Sequence, residues 1–453
     1  MATPQSPFLF HFFLLLCFFA IVARAQVPAN KTFKIINQAE FGEYITEYDA
    51  SYRVIRNDDY TFYTFPFRLC FYNTTPDAFI FGMRAGIPND EDIMRWVWDA
   101  NRNHPVRENA TLSFGQDGNF VLADVDGRVV WQTNTANKGV TGIRLLPNGN
   151  LVLHDKNGKC IWQSFHYPVD TLLVGQSLSI GGRNKLVSRT SDVDGSDGPY
   201  SMVLDGKDFY MYLNNSGESL IYGGFGGLTE SVVTFDAVPE NENATAYELV
   251  LNLGEEELAP PPSSRRLLQS RPISSGGRRN LNKVNYNATY SFLRLDSDGN
   301  LKAHTYYEKV SYLKWEETFA FFSPYFVREC GLPSKCGAFG LCDKRMCVAC
   351  PSPKGLLGWS ESCAPPKVAS CKSKSKSSAK VDYYKIVGVE HFTSPYLEGE
   401  GPMKVGECRE KCNKDCKCLG FFYREESSKC LLAPLLGTLI KDVNSSHIGF
   451  IKY

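Results

Sequence analysis

The chain has 453 residues, 49 of them Lys or Arg and 49 Asp or Glu, so its formal charge is zero. That balance argues against nucleic acid or an anionic membrane surface as a partner. With 43% apolar and 13% aromatic residues, the chain can bury several cores. Its length suggests about three domains.

Residues 8–22 form one apolar run, FLFHFFLLLCFFAIV, followed by Ala23-Arg24-Ala25. This reads as a secretory signal peptide over residues 1–25, with the mature chain starting near Gln26. The run is short for a bilayer span, and neither a second span nor a lipid-anchor signal follows. Seven glycosylation sequons, at Asn30, Asn73, Asn109, Asn214, Asn243, Asn287 and Asn444, agree with secretion. Of 15 Cys, Cys17 leaves with the signal, and twelve of the rest lie between Cys330 and Cys430. In an oxidising compartment that clustering means a disulfide framework, not a metal site or catalytic thiol. Cys70 and Cys160 are the two isolated ones, and elimination pairs them.

A lead-in to about residue 55 precedes an aromatic, strand-rich run with Tyr60, Phe62, Tyr63, Phe65 and Phe67. A repeated unit follows. Asp117-Gly118-Asn119 and Asn148-Gly149-Asn150 lie 31 residues apart, and Trp131 and Trp162 keep the same offset. Trp98, 33 residues before Trp131, marks a worn first copy. Phe120-Val121-Leu122 and Leu151-Val152-Leu153 are β-rich, and Asp126-Gly127 and Asn157-Gly158 are hairpin turns. A unit this short cannot bury its own apolar face, so three copies should close around one core with the Trp side chains inside.

Residues 45–175 resemble the bulb-type, mannose-binding lectins, whose sugar site is the string Q-x-D-x-N-x-V-x-Y on each face of a three-sided β-prism. Alternation puts those side chains on one strand face, where polar groups meet sugar hydroxyls and Val packs on ring carbons. The second copy keeps Asp117, Asn119 and Val121, with Gly115 and Ala123 in place of Gln and Tyr. The third has Leu146, Asn148, Asn150, Val152 and His154, and the first has no such string. Two readings stand: carbohydrate binding through Asp117, Asn119, Val121, Asn148, Asn150 and Val152, or turn and strand residues kept for the hairpin.

Residues 180–320 repeat the device once, at Asp298-Gly299-Asn300 with Trp315 after it, and look like a second, degenerate prism. Asp192, Asp194 and Asp197 lack the Gly and Glu of a calcium loop and read as turn residues, so no metal is expected. Residues 254–284 are rich in Pro, Ser, Gly and Arg and are expected to form a disordered, solvated insertion. Its dibasic pairs are Arg265-Arg266 and Arg278-Arg279.

From Cys330 the spacing C-x5-C-x5-C-x4-C-x2-C-x12-C resembles an EGF-like module, over 326–366. That resemblance implies Cys330–Cys342, Cys336–Cys347 and Cys350–Cys363, among the 15 pairings six Cys allow. A Lys/Ser spacer, residues 367–380, follows. Residues 371–453 are similar to a PAN/apple domain, whose pattern implies Cys408–Cys430 and Cys412–Cys418, leaving Cys371 and Cys416 to pair.

The expected fold is thus mainly β: two β-prism units, an EGF-like module and an α+β PAN/apple domain. This order resembles the extracellular half of plant S-locus glycoproteins and their receptor kinases. FRLCFYNTTPDAF, WDANRNHPV and WQSFHYPVDTLLVGQSL are especially close to their epidermis-specific secreted subgroup. The resemblance implies a secreted apoplast or cell-wall glycoprotein that binds mannose-type glycans weakly. The alternative is a sugar-inactive scaffold with a protein partner on the PAN domain. No H-E-x-x-H, G-x-S-x-G or P-loop occurs, so neither an enzyme nor a cofactor is expected.

Overall fold

A computed structural model describes residues 27–88, 93–206, 208–226, 228–237, 247–253, 278–280, 290–307, 310–311, 314–324, 327, 329–367 and 381–453. The signal-peptide stretch, Asn243, Asn287, Cys371 and residues 368–380 lie outside them. The chain divides into two compact units, Met1–Pro168 and Val169–Tyr453. No helix among the described residues is long and apolar enough to cross a membrane.

The first unit has three antiparallel sheets. One orders Phe33–Ile36, Thr111–Phe114, Phe120–Ala123 and Val129–Gln132. The second orders Gly142–Leu145, Leu151–His154 and Cys160–Gln163. The third, the worn first copy, orders Ser51–Val54, Phe67–Asn73, Ile80–Ala85 and Arg95–Asp99, with Tyr63–Thr64 beside Phe67–Asn73. In Phe120–Ala123 the burial alternates, so Phe120 and Leu122 point inward while Val121 and Ala123 point out. Each sheet sends one Trp to the centre. Ring centroids lie 6.0 Å apart for Trp98–Trp131, 6.4 Å for Trp98–Trp162 and 5.8 Å for Trp131–Trp162. Edge-to-face pairs of this kind contribute about 0.5–1.5 kcal/mol each beyond area burial.

The structure moves the start of this unit. Phe33–Ile36 pairs with Thr111–Phe114, well before residue 45. Phe33 packs within 5.6–6.0 Å of Phe62, Phe114 and Phe120, so burial holds the strand there. It also corrects one disulfide: Cys70 and Cys160 are both free thiols. Cys70 lies in the first-copy sheet, packed with Ala50, Tyr52, Tyr72, Met94 and Trp96. Cys160, itself exposed, opens a strand of another sheet. Topology separates the two. Burial pushes the Cys70 thiol up to about 11 although Arg84 opposes the shift.

The second unit opens with three further antiparallel sheets, a second prism. They are Thr171–Leu173 with Tyr290–Leu295, Leu301–Tyr306 and Trp315–Ala320; Gln176–Ser179 with Leu228–Ala237, Tyr247–Leu253 and Arg278–Asn280; and Lys185–Arg189 with Asp197–Asp205, Asp208–Asn215 and Glu218–Gly226. Their inner faces share one core that includes Leu178, Met202, Met211, Phe235 and Leu301. Within the expected insertion, Arg278–Asn280 pairs with Glu248–Val250, which corrects a wholly disordered 254–284; its other residues lie outside those described. Asp194 accepts a turn bond from Ser196 N at 3.0 Å.

The two disulfide-rich stretches are not separate beads. Phe339–Asp343 runs parallel to Gly437–Lys441, inside a five-stranded sheet with Gly355–Gly358, Met346–Ser352 and Val389–His391. Phe339, Leu341, Phe422 and Leu439 share its core. Disulfides join Cys330–Cys342, Cys336–Cys347, Cys350–Cys363, Cys408–Cys430 and Cys412–Cys418, the pairs the resemblances imply. Cys416 is also disulfide-bonded, while its expected partner, Cys371, is not among the described residues.

The helix Val405–Lys414 starts where Glu407 accepts Lys404 N at 3.0 Å, and Lys411 and Lys414 sit in its last turn, favourable to its dipole. Cys408 and Cys412, four apart, share its buried face and tie it to a second, four-stranded sheet.

Candidate functional site

The sugar-site positions lie on two matching hairpins. Gly118 takes a φ of +78°, which suits glycine, and a β-carbon there would meet Val140 Cβ at 2.7 Å. The turn is closed by Asn119 N, which donates to Asp117 Oδ1 at 3.0 Å. Asn148 repeats this, accepting Asn150 N at 3.2 Å.

The two Asn side chains then turn back into the prism. Asn119 Nδ2 donates to Gln132 Oε1 at 2.8 Å, and Asn119 Oδ1 accepts Thr133 Oγ1 at 3.2 Å and Thr135 N at 3.1 Å. Asn150 Nδ2 donates to Gln163 Oε1 at 2.7 Å, and its Oδ1 accepts Ser164 Oγ and Phe165 N, both at 3.3 Å. Asn119 is 8% exposed and Asn150 5%. The second unit keeps the device: Asn300 Nδ2 donates to Phe322 O at 3.1 Å, and Asn300 Oδ1 accepts Phe322 N at 2.9 Å. Each Asn therefore staples its turn to the chain beyond the following strand. Gln132, Thr133, Thr135, Gln163 and Ser164 were missed as partners. Their signal was legible: a Gln follows Trp131 and Trp162 at the same 31-residue offset.

What faces out is sparse. Asp117 is exposed and Val121 half-buried, while Asn148 is exposed and Val152 is buried. The hairpins bring Asp117 and Asn119, and Asn148 and Asn150, together, but with the Asn groups turned inward. A β-carbon at Gly115 would lie 2.8 Å from Asp117 Oδ1, so a side chain there requires the Asp117 carboxylate to shift.

Charge anchors the second copy. Asp124, 4% exposed, accepts Arg107 N at 2.9 Å, Arg107 Nε at 3.0 Å and Arg107 Nη2 at 2.8 Å. Burial resists its charge, but these bonds and one from Val125 N hold its carboxyl down to about 2, from an ordinary 3.8. A depressed folded value means the stabilisation is present above about pH 4 and is lost as pH falls toward about 2. With Arg107 half exposed, the loss should be about 1–2 kcal/mol. Melting of the first unit between pH 5 and pH 2 is expected to show it, and Asp124→Asn to flatten that window while lowering stability at neutral pH.

Of the described sequons, Asn30, Asn109, Asn214 and Asn444 are exposed and Asn73 is half-buried.

A family model described as D-mannose binding lectin matches residues 95–191, which defines the class as a bulb-lectin β-prism. The chain is 62% identical over 438 residues to EP1-like glycoprotein 2 of Arabidopsis thaliana, covering 95% of this chain and 96% of that one. It is 48% identical over 372 residues to the epidermis-specific secreted glycoprotein EP1 of Daucus carota, covering 77% and 90%. The chain belongs to the EP1-like glycoprotein family. A G-type lectin S-receptor-like serine/threonine-protein kinase of Arabidopsis thaliana, SD2-5, is 24% identical over 364 residues, 40% of its length.

Proposed function

We propose that this is a secreted, non-catalytic plant glycoprotein of the apoplast or cell wall, whose prisms serve as an interaction scaffold and touch mannose-type glycans only weakly. The observation that carries the reading is the internal pairing of Asn119 and Asn150, each Oδ1 accepting two bonds and each Nδ2 donating one to a Gln of the same sheet. A sugar would have to break those bonds, each worth about 0.5–1.5 kcal/mol net. The loss of Gln and Tyr from the string removes about 1–3 kcal/mol more, one to two powers of ten in affinity. A single site is then millimolar or weaker, and only a branched glycan meeting several sites would be held. Secretion is supported by the names of the relatives, the exposed sequons and five disulfides in one region.

The PAN/apple-like C-terminal region is the favoured surface for a protein partner, since its helix and sheet form a bridged, rigid face. The test is retention of the secreted protein on an immobilised high-mannose glycoprotein. Weak retention that Asp117→Ala removes is expected. Strong retention untouched by Asp117→Ala would overturn the reading of these hairpins.

A further inference from the structure

Several strand ends of the C-terminal region converge on one ring. Glu390 lies in Val389–His391, Arg424 ends Gly420–Arg424, Asp442 follows Gly437–Lys441 and His447 opens His447–Lys452. His447 Nδ1 is 3.0 Å from Glu390 Oε1 and 3.0 Å from Asp442 Oδ2. Its Nε2 is 2.7 Å from Glu426 Oε1. The side chains of Glu390, His447 and Asp442 are 9%, 14% and 29% exposed. Three carboxylates face the ring, and the cation that answers them is Arg424, whose Nη2 is 2.6 Å from Glu390 Oε1. Lys441 is turned to Asp343 and Lys429 to Glu398.

A neutral imidazole carries one N–H. With that proton on Nε2 toward Glu426, the Nδ1 lone pair points at two carboxylate oxygens. In that tautomer the three atoms repel unless a cation lies among them, and Arg424 answers Glu390 Oε1, with Nε at 2.8 Å and Nη2 at 2.6 Å. We propose that Glu390, Asp442 and His447 form a divalent metal site of the Mn²⁺ or Zn²⁺ type. Adjacent corners of an octahedron with bonds of about 2.1 Å are about 3.0 Å apart, the spacing seen from Nδ1 to each oxygen. One ring nitrogen with two carboxylates suits a transition metal better than Ca²⁺ or Mg²⁺, which favour oxygen alone. Glu426 stands behind the ring as the carboxylate that orients a ligating His. Asp442 is held in turn, its Oδ1 accepting Asn444 N at 2.9 Å. Glu390 and His447 border a small cavity lined also by Ser394, Phe422, Arg424 and Ile448, and Asp442 closes the cluster outside that lining. This site is independent of the prisms and of the sugar-site hairpins, and the sequon Asn444 lies beside it, its Nδ2 3.4 Å from His447 Nε2.

The test uses the untagged full-length secreted protein, stripped by a chelator and titrated calorimetrically with MnCl₂ and ZnCl₂. One ion per chain is expected, bound at least tenfold more tightly than Ca²⁺ or Mg²⁺. Pulsed electron paramagnetic resonance of the Mn²⁺ form should show one coordinated imidazole nitrogen. Asp442→Asn should weaken binding at least tenfold, and His447→Gln should abolish the nitrogen signal. If His447→Gln fails to fold, Asp442→Asn, altering the most exposed ligand, decides. The proposal is overturned by absence of stoichiometric binding, by affinity unchanged in Asp442→Asn, or by a Mn²⁺ spectrum without nitrogen coupling. A ring held only as imidazolium would give the first of these.

Discussion

Trp98→Ala is expected to lower the stability of the first unit by about 3–5 kcal/mol, the range for deleting a buried aromatic side chain. Trp98 is 5% exposed and touches both other tryptophans, and its Nε1 donates to Tyr167 O at 3.1 Å. Phe81 also packs on it at 5.9 Å. The substitution therefore removes a ring through which the first-copy sheet meets both others, leaving Phe81 on Phe120 and Trp131 as a remaining contact with one of them. Calorimetric melting should show the transition of the first unit shifted down or lost. A change under about 1 kcal/mol would mean that the three-ring centre does not hold the prism together.

Removing the Cys408–Cys430 bridge should be comparably severe, about 2–5 kcal/mol for a native disulfide in a small domain. The bridge closes a 22-residue separation and ties the helix Val405–Lys414 to the strand Lys429–Ala433. Cys408 and Cys430 are 0% and 2% exposed beside Cys412, Cys418, Phe421 and Tyr423. A Cys408→Ala, Cys430→Ala protein should melt earlier in its second unit with the first unit unchanged. Thiol labelling adds a check on the native protein: Cys160 reacts before Cys70, which needs unfolding, because one is exposed and the other buried, although partial burial also raises the Cys160 thiol. Protection of both thiols after full denaturation would show a bridge that this structure lacks.

How much of this was legible depended on sequence distance. The hairpins were readable because turn glycines and alternating residues act locally, and the Trp repeat marks a shared core. The strand Phe33–Ile36 escaped notice because its partners lie far along the chain, as with Phe33 and Phe114, 114 − 33 = 81 residues apart. The parallel pairing of Phe339–Asp343 with Gly437–Lys441 likewise leaves no local trace, so the sheet shared by the two disulfide-rich stretches was not expected. Pairing Cys70 with Cys160 by elimination failed because counting says nothing of which sheet a residue joins. At the site, residue types were readable but side-chain direction was not. Asn119 sits in the position of a sugar ligand and points its amide at Gln132 instead.

That inward turn is the central claim, and titration of the secreted protein with free mannose tests it most directly. The account predicts no saturable heat up to millimolar sugar. It also predicts that Asn119→Ala lowers the melting temperature of the first unit, since buried Thr133 and Thr135 and exposed Gln132 lose their bonds to it. Micromolar binding of free mannose, abolished by Asn119→Ala with the melting temperature unchanged, would contradict it.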